Sequence, residues 1–89
     1  TTVVITSAVV AIPVTALVAR VSMSIINLEA TNTLYLGKIT VTADRVAGTT
    51  AGWEVGAGET FNLDISDGVV LYGIAEAGKT VLIKVLEIS

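Results

Sequence analysis

Phe61-Asn62-Leu63-Asp64-Ile65-Ser66 carries an apolar side chain at every odd position and a polar one at every even position. A period of two marks a strand with one buried face and one wet face. The same alternation runs through Arg20-Val21-Ser22-Met23-Ser24-Ile25 and Ile39-Thr40-Val41-Thr42, so strands are expected there too. Two later runs, Val69 to Ala75 and Thr80 to Ile88, are apolar at both parities, the pattern of a strand covered on both sides. A chain of 89 residues is too small for three layers, so the second cover is expected from another subunit.

Val, Ile and Thr supply 35 of the 89 residues, and straight-chain helix formers are sparse. Branching at Cβ restricts χ1 in a way that suits a pleated sheet and disfavours helix. Turn signals recur about every ten residues, at Glu29 to Asn32, Ala47 to Gly52, Gly56 to Gly58, Ser66 to Gly68 and Glu76 to Lys79. That rhythm predicts an all-β fold, a single antiparallel β-sandwich of jelly-roll or immunoglobulin-like type or a barrel-like relative. Pro13 cannot donate to a ladder and marks a break, dividing an extended apolar N-terminal arm, residues 1–14, from a sandwich body, residues 15–89.

Hydrophobic residues make up 53% of the chain and charged residues only 15%, more apolar than a lone soluble domain of this size needs. Val3 to Ala19 is uncharged and is followed by Arg20, but it holds Pro13, three hydroxyl side chains and β-branched residues, and is short for a spanning helix. No membrane partner is expected. The arm is instead expected to pack on a neighbouring polypeptide through Val3, Val4, Ile5, Val9, Val10 and Ile12, and the last strand through Leu82 and Leu86. Trp53, flanked by turn glycines, is either a plug over the open end of the sandwich or a contact anchor.

The chemical inventory is short. With no Cys and no His, disulfides, Cys or His zinc sites and Ser-His or Cys-His nucleophile pairs are excluded. The net charge is −3, and the five cationic residues are scattered, so nucleic acid is not an expected partner. Gly73-Ile74-Ala75-Glu76-Ala77-Gly78-Lys79-Thr80 matches the G-x-x-x-x-G-K-[ST] phosphate loop. That loop must open a helix, and Val81 to Leu86 has strand composition, so the match is read as a hairpin turn between the last two strands and no nucleotide is expected. Asp64 to Gly68 offers oxygen ligands for a hard cation but lacks the spaced carboxylates of a calcium loop, and reads as a strand ending in an Asp-Gly turn. Tyr35 and Tyr72 are expected at the core edge with wet hydroxyls. No catalytic, cofactor-binding or metal-binding residue is expected, and the protein is not expected to be an enzyme.

Ala19-Arg20-Val21-Ser22, Ile25-Ile26-Asn27, Leu34-Tyr35-Leu36-Gly37, Val41-Thr42 and Gly58-Glu59-Thr60-Phe61-Asn62-Leu63, in that order, resemble the small all-β virion proteins of tailed bacteriophages, in particular the capsid decoration or cement proteins. The resemblance covers about residues 15 to 89. It implies a non-enzymatic sandwich on the capsid exterior that self-associates and bridges subunits of the major capsid protein. A homotrimer is favoured, because shells offer many local three-fold positions, with a dimer as the alternative. A different class also fits the pattern: a carbohydrate- or peptide-binding β-sandwich module of a phage tail or fibre.

Overall fold

The computed structural model describes residues 1–13, 15–43 and 51–89. Eight strands follow in chain order: β1 (Thr2–Ile5), β2 (Val10–Ile12), β3 (Ser22–Asn27), β4 (Leu34–Gly37), β5 (Trp53–Val55), β6 (Thr60–Asp64), β7 (Leu71–Ile74) and β8 (Val81–Ile88). They form two four-stranded antiparallel sheets ordered β1-β8-β3-β6 and β2-β7-β4-β5. The chain changes sheet at nearly every connection. Two facing sheets in this strand order make an eight-stranded jelly roll, which selects among the sandwich types left open by the sequence.

Alternation decides which side chains enter the core. From the first sheet Ile5, Met23, Ile25, Val81, Ile83 and Val85 point inward, with Phe61 and Leu63 packed beside them. From the second come Ile12, Leu34, Leu36 and Val55, with Leu71 alongside. Gly73 lies in the same inner layer, and a Cβ there would sit 2.6 Å from Ile12 Cδ1 and 3.1 Å from Leu34 Cδ1. The glycine lets Ile5, Ile12 and Leu34 close over the middle of β7. Any larger residue would wedge the layers apart.

The segment expected to be a separate arm is part of the body. β1 pairs with β8 in the register Thr2↔Lys84 to Ile5↔Val81, and β2 pairs with β7 from Val10↔Gly73 to Ile12↔Leu71. Each sheet gains one edge strand this way, and Ile5 and Ile12 are fully buried in the common core. Pro13 follows β2 directly, with a cis Ile12–Pro13 peptide, at the sheet edge where its missing N–H is tolerated.

Three local expectations also change. Ile39-Thr40-Val41-Thr42 is not a strand. Its backbone turns, with Val41 N–H donating to Lys38 O at 2.9 Å and Thr42 forming an isolated bridge to Ala51. The turn Glu76 to Lys79 is present, closed by Lys79 N–H to Glu76 O at 2.9 Å and by a positive φ at Gly78, but it carries the chain from one sheet to the other and is not a hairpin. Tyr35 is buried, not at a wet edge, while Tyr72 is half-buried. The turn signal at Ala47 to Thr50 lies outside the described residues.

Candidate interaction surfaces

Two buried polar side chains shape the ends of the sandwich. Arg20 follows a left-handed Ala19 and is only 2% exposed. Its Nη2 donates to Ser66 O at 2.9 Å and Val69 O at 2.8 Å, its Nε donates to Ile65 O at 3.2 Å, and its Nη1 pairs with Glu87 Oε2 at 2.9 Å. The same Glu87 oxygen accepts Leu17 N–H at 2.9 Å, and Asp67 Oδ2 accepts Ala19 N–H at 3.0 Å. A guanidinium offers five donors in a fixed fork, so one side chain can staple two loops to the end of β8. The Asp64–Gly68 turn is thereby engaged internally.

At the opposite end Asn27 Nδ2 donates to Asn32 O and Val55 O, both at 2.9 Å, and Asn27 Oδ1 accepts Glu29 N–H at 2.9 Å. Every donor and acceptor of this fully buried amide group is matched to the turns it organises, which removes the cost of burying it. The sequence showed both residues but gave no sign of these roles, because their partners are mostly backbone atoms, and for Arg20 they lie 45 to 67 residues away.

The outer face of the β1-β8-β3-β6 sheet is apolar along one side. Val4, Leu82, Leu86, Ile88 and Ile26 are all exposed, Leu86 at 60%. Val4 lies opposite Leu82 in the ladder, and Ile26 lies opposite Lys84. The other side of this face is polar, with Ser24 Oγ and Asn62 Oδ1 at 2.6 Å and with Asp64 beyond them. β8 therefore has one face in the core and one bare, which is where the reading of a strand apolar at both parities leads once its alternation, buried then exposed, is resolved.

A smaller apolar group, Leu17, Val18, Val21, Val69 and Val70, is displayed by the loops that Arg20 staples, so Val69 and Val70 precede β7 instead of belonging to it.

Of the residues expected to meet a partner, Val4, Leu82 and Leu86 stand on this bare face. Ile5 and Ile12 are core residues and cannot contact another chain. Val3 and Val10 are partly buried against the same core, and Val9, half-buried, sits just before β2. Trp53 lies at the opposite edge of the sandwich, 66% exposed, with its ring tilted 42° against Phe61 at a centroid distance of 6.3 Å. It narrows the gap between edge strands β5 and β6 and leaves most of the indole outside.

The phosphate-loop pattern has no loop at its start, because Gly73 and Ile74 are strand residues and Thr80 leads straight into β8. Among the described residues, no group of three or more acidic side chains is placed to hold a metal ion, and no helix is long and apolar enough to cross a membrane. No protein-family model, curated protein or solved structure matches the chain.

Proposed function

We propose that this protein is a structural subunit of a virion, a non-enzymatic decoration protein that self-associates on the capsid exterior and holds neighbouring shell subunits together. The observation that carries the proposal is the bare apolar face: the core is complete without Val4, Ile26, Leu82, Leu86 and Ile88, yet the chain leaves them in water. Apolar patches of this kind on small proteins mark association sites. The resemblance to phage decoration proteins gives the setting, and the jelly-roll architecture is one that virion proteins share with lectins, an argument from analogy. Multiple weak contacts suffice on a shell, since each added contact raises the effective affinity of the next.

The test is on particles. The protein should co-purify with intact shells, and particles lacking it should assemble but rupture at lower temperature or internal pressure. Unchanged particle stability would count decisively against the proposal.

The exposed Trp53 favours a second reading, a carbohydrate- or peptide-binding module, because an indole at a sandwich edge is a stacking surface for such ligands. That reading requires a ligand-dependent rise in melting temperature that Trp53→Ala abolishes.

A further inference from the structure

The four edge strands of the two sheets are not equally guarded. β2 and β5 have three residues each; Pro13 ends the first, and in the second Val55 O already accepts Asn27 Nδ2. β1 turns only Thr2 and Val4 outward, because Thr1 and Val85 exchange both backbone bonds and the alternation follows from there. β6 is the longest of the four, five residues from Thr60 to Asp64. Its register with β3 is unbroken, and it has no proline, lysine or bulge, the devices that keep an edge from pairing.

The ladder defines the free side of β6. Ile65 N–H donates to Val21 O and Asn27 N–H donates to Glu59 O, so the odd residues of this strand are bonded to β3. The N–H and C=O groups of Thr60, Asn62 and Asp64 therefore point away from β3, and they have no partner among the described residues. Donors and acceptors that alternate at strand spacing are matched in full by another extended backbone.

The side chains along this edge set the sequence that such a backbone carries. On the inner side Phe61 and Leu63 are only partly buried, and the Trp53 indole leans on Phe61 from β5, so the mouth between the two sheets is apolar and open. On the outer side stand Thr60, Asn62 and Asp64, and Asp64 is exposed with no ion pair among the described residues. A strand added here needs apolar side chains opposite Phe61 and Leu63, polar ones opposite Thr60 and Asn62, and a cation opposite Asp64. β6 of a second copy has no cation to offer: in the antiparallel register that pairs all five residues it sets Thr60 against Asp64.

We infer, building on the reading of Trp53 as a ligand surface, that β6 is the docking edge for an extended segment of another protein. The segment adds as an antiparallel fifth strand to the β1-β8-β3-β6 sheet, with its apolar residues over Phe61, Leu63 and Trp53 and a Lys or Arg beside Asp64. Main-chain bonds to Thr60, Asn62 and Asp64 supply the affinity, and the alternate side chains supply the specificity.

The probe is an end-capped peptide, Ser-Lys-Val-Thr-Val-Thr-Ser, titrated into the full chain and followed by the fluorescence of Trp53, the only indole, and by amide exchange at Thr60, Asn62 and Asp64. Binding should slow exchange at these amides by about tenfold. N-methylation of the peptide's two Thr residues, whose N–H groups face β6, should raise Kd by about twentyfold, whereas N-methylation of its two Val residues, whose N–H groups face away, should leave Kd within about threefold. Asn62→Pro removes one outward donor where an edge strand tolerates proline, and should weaken binding by about fivefold with native circular dichroism. Should that variant fail to fold, the two methylated peptides on the native chain decide the matter. Asp64→Lys should weaken binding by about threefold at low salt and leave it unchanged at high salt. No change in fluorescence or exchange at millimolar peptide, equal binding of the two methylated peptides, or exchange already slowed at these amides in an oligomer of the native chain would overturn the inference. Equal binding that Trp53→Ala abolishes would still leave Trp53 standing as a ligand surface. Methyl-sensitive binding that survives Trp53→Ala would sink that reading and keep the strand addition.

Discussion

The two outer faces of the sandwich are finished differently. On the β2-β7-β4-β5 sheet, Tyr35 points outward and is nevertheless buried, because the turn after β4 folds back and lays Val41 beside it. Gly52 completes the cover, so closely that a Cβ there would sit 2.6 Å from Tyr35 Cβ and 3.0 Å from Val41 Cγ2. On the β1-β8-β3-β6 sheet, no comparable cover lies over Leu82, Leu86 and Ile88 among the described residues, and they stay exposed. The difference separates apolar residues that this fold covers from apolar residues that it leaves bare. Outward position alone does not make that distinction; the presence of a covering segment does.

The sharpest way to break the comparison uses one strand and its two faces. Ile83 is 0% exposed, so Ile83→Asp buries an unpaired carboxylate and should abolish cooperative folding, read as loss of the sheet signal in far-ultraviolet circular dichroism. Leu82→Asp with Leu86→Asp, one residue out of phase, should leave a folded chain that no longer self-associates. If both variants unfold the protein, the bare face is part of the fold after all.

Arg20 comes next in size. Arg20→Met removes the partner of Glu87 and of three carbonyls while keeping the stem, and should cost about 3–5 kcal/mol in a urea titration. A loss below 1 kcal/mol would show that water replaces the guanidinium and that the end loops need no staple.

A third contrast sets the two faces directly against each other. Tyr35→Ala should destabilise by about 3 kcal/mol, as for a large buried aromatic, whereas Leu86→Ala should change the stability of the isolated monomer by about 0.5 kcal/mol or less. Equal effects would erase the distinction between covered and bare.

Gly52→Ala is the smallest expected change that still reports on the cover. The added methyl would also lie 3.1 Å from the Thr42 carbonyl oxygen, a backbone atom that cannot rotate away, so about 1–3 kcal/mol should be lost. A neutral result would mean that the covering segment lifts without penalty.

Much of this fold can be read from the sequence, and the losses have identifiable causes. Alternation located β3 and β6, because a strand with one wet face writes its period into the chain. It failed at Ile39 to Thr42, where four residues of a turn happen to alternate and Val41 is buried against Tyr35 from outside the sheet. The run from Val3 to Ile12 was legible as apolar and extended, but its placement was not. Ile5 faces Val81 and Val10 faces Gly73, partners at separations that no local pattern encodes. Turn residues were found at Glu76 to Lys79, yet the same Gly at positive φ serves a hairpin and a sheet-to-sheet crossing alike. For the candidate surface, the excess of apolar residues in Thr80 to Ile88 was visible, and Leu82 and Leu86, expected to meet a partner, are exposed, but a run apolar at both parities does not by itself say which face is the core.

The pairing of β1 with β8 ties the start of the described chain to its end, with Val85 N–H donating to Thr1 O at 2.7 Å and the Thr1 ammonium donating to Val85 O at 3.2 Å. During synthesis β1 has no ladder partner until β8 has been made, and β2 must wait for β7 in the same way. The shortest loop closed by the first of these pairings runs from Ile5 to Val81, so its entropy must be overcome before any of its hydrogen bonds form. Refolding on the millisecond-to-second scale typical of such sheets is the kinetic signature, measurable by stopped-flow fluorescence of Trp53. Until then the apolar strands β1 and β2 remain open to other chains, and a crowded cell or a concentrated refolding mixture would select for rapid completion of β8.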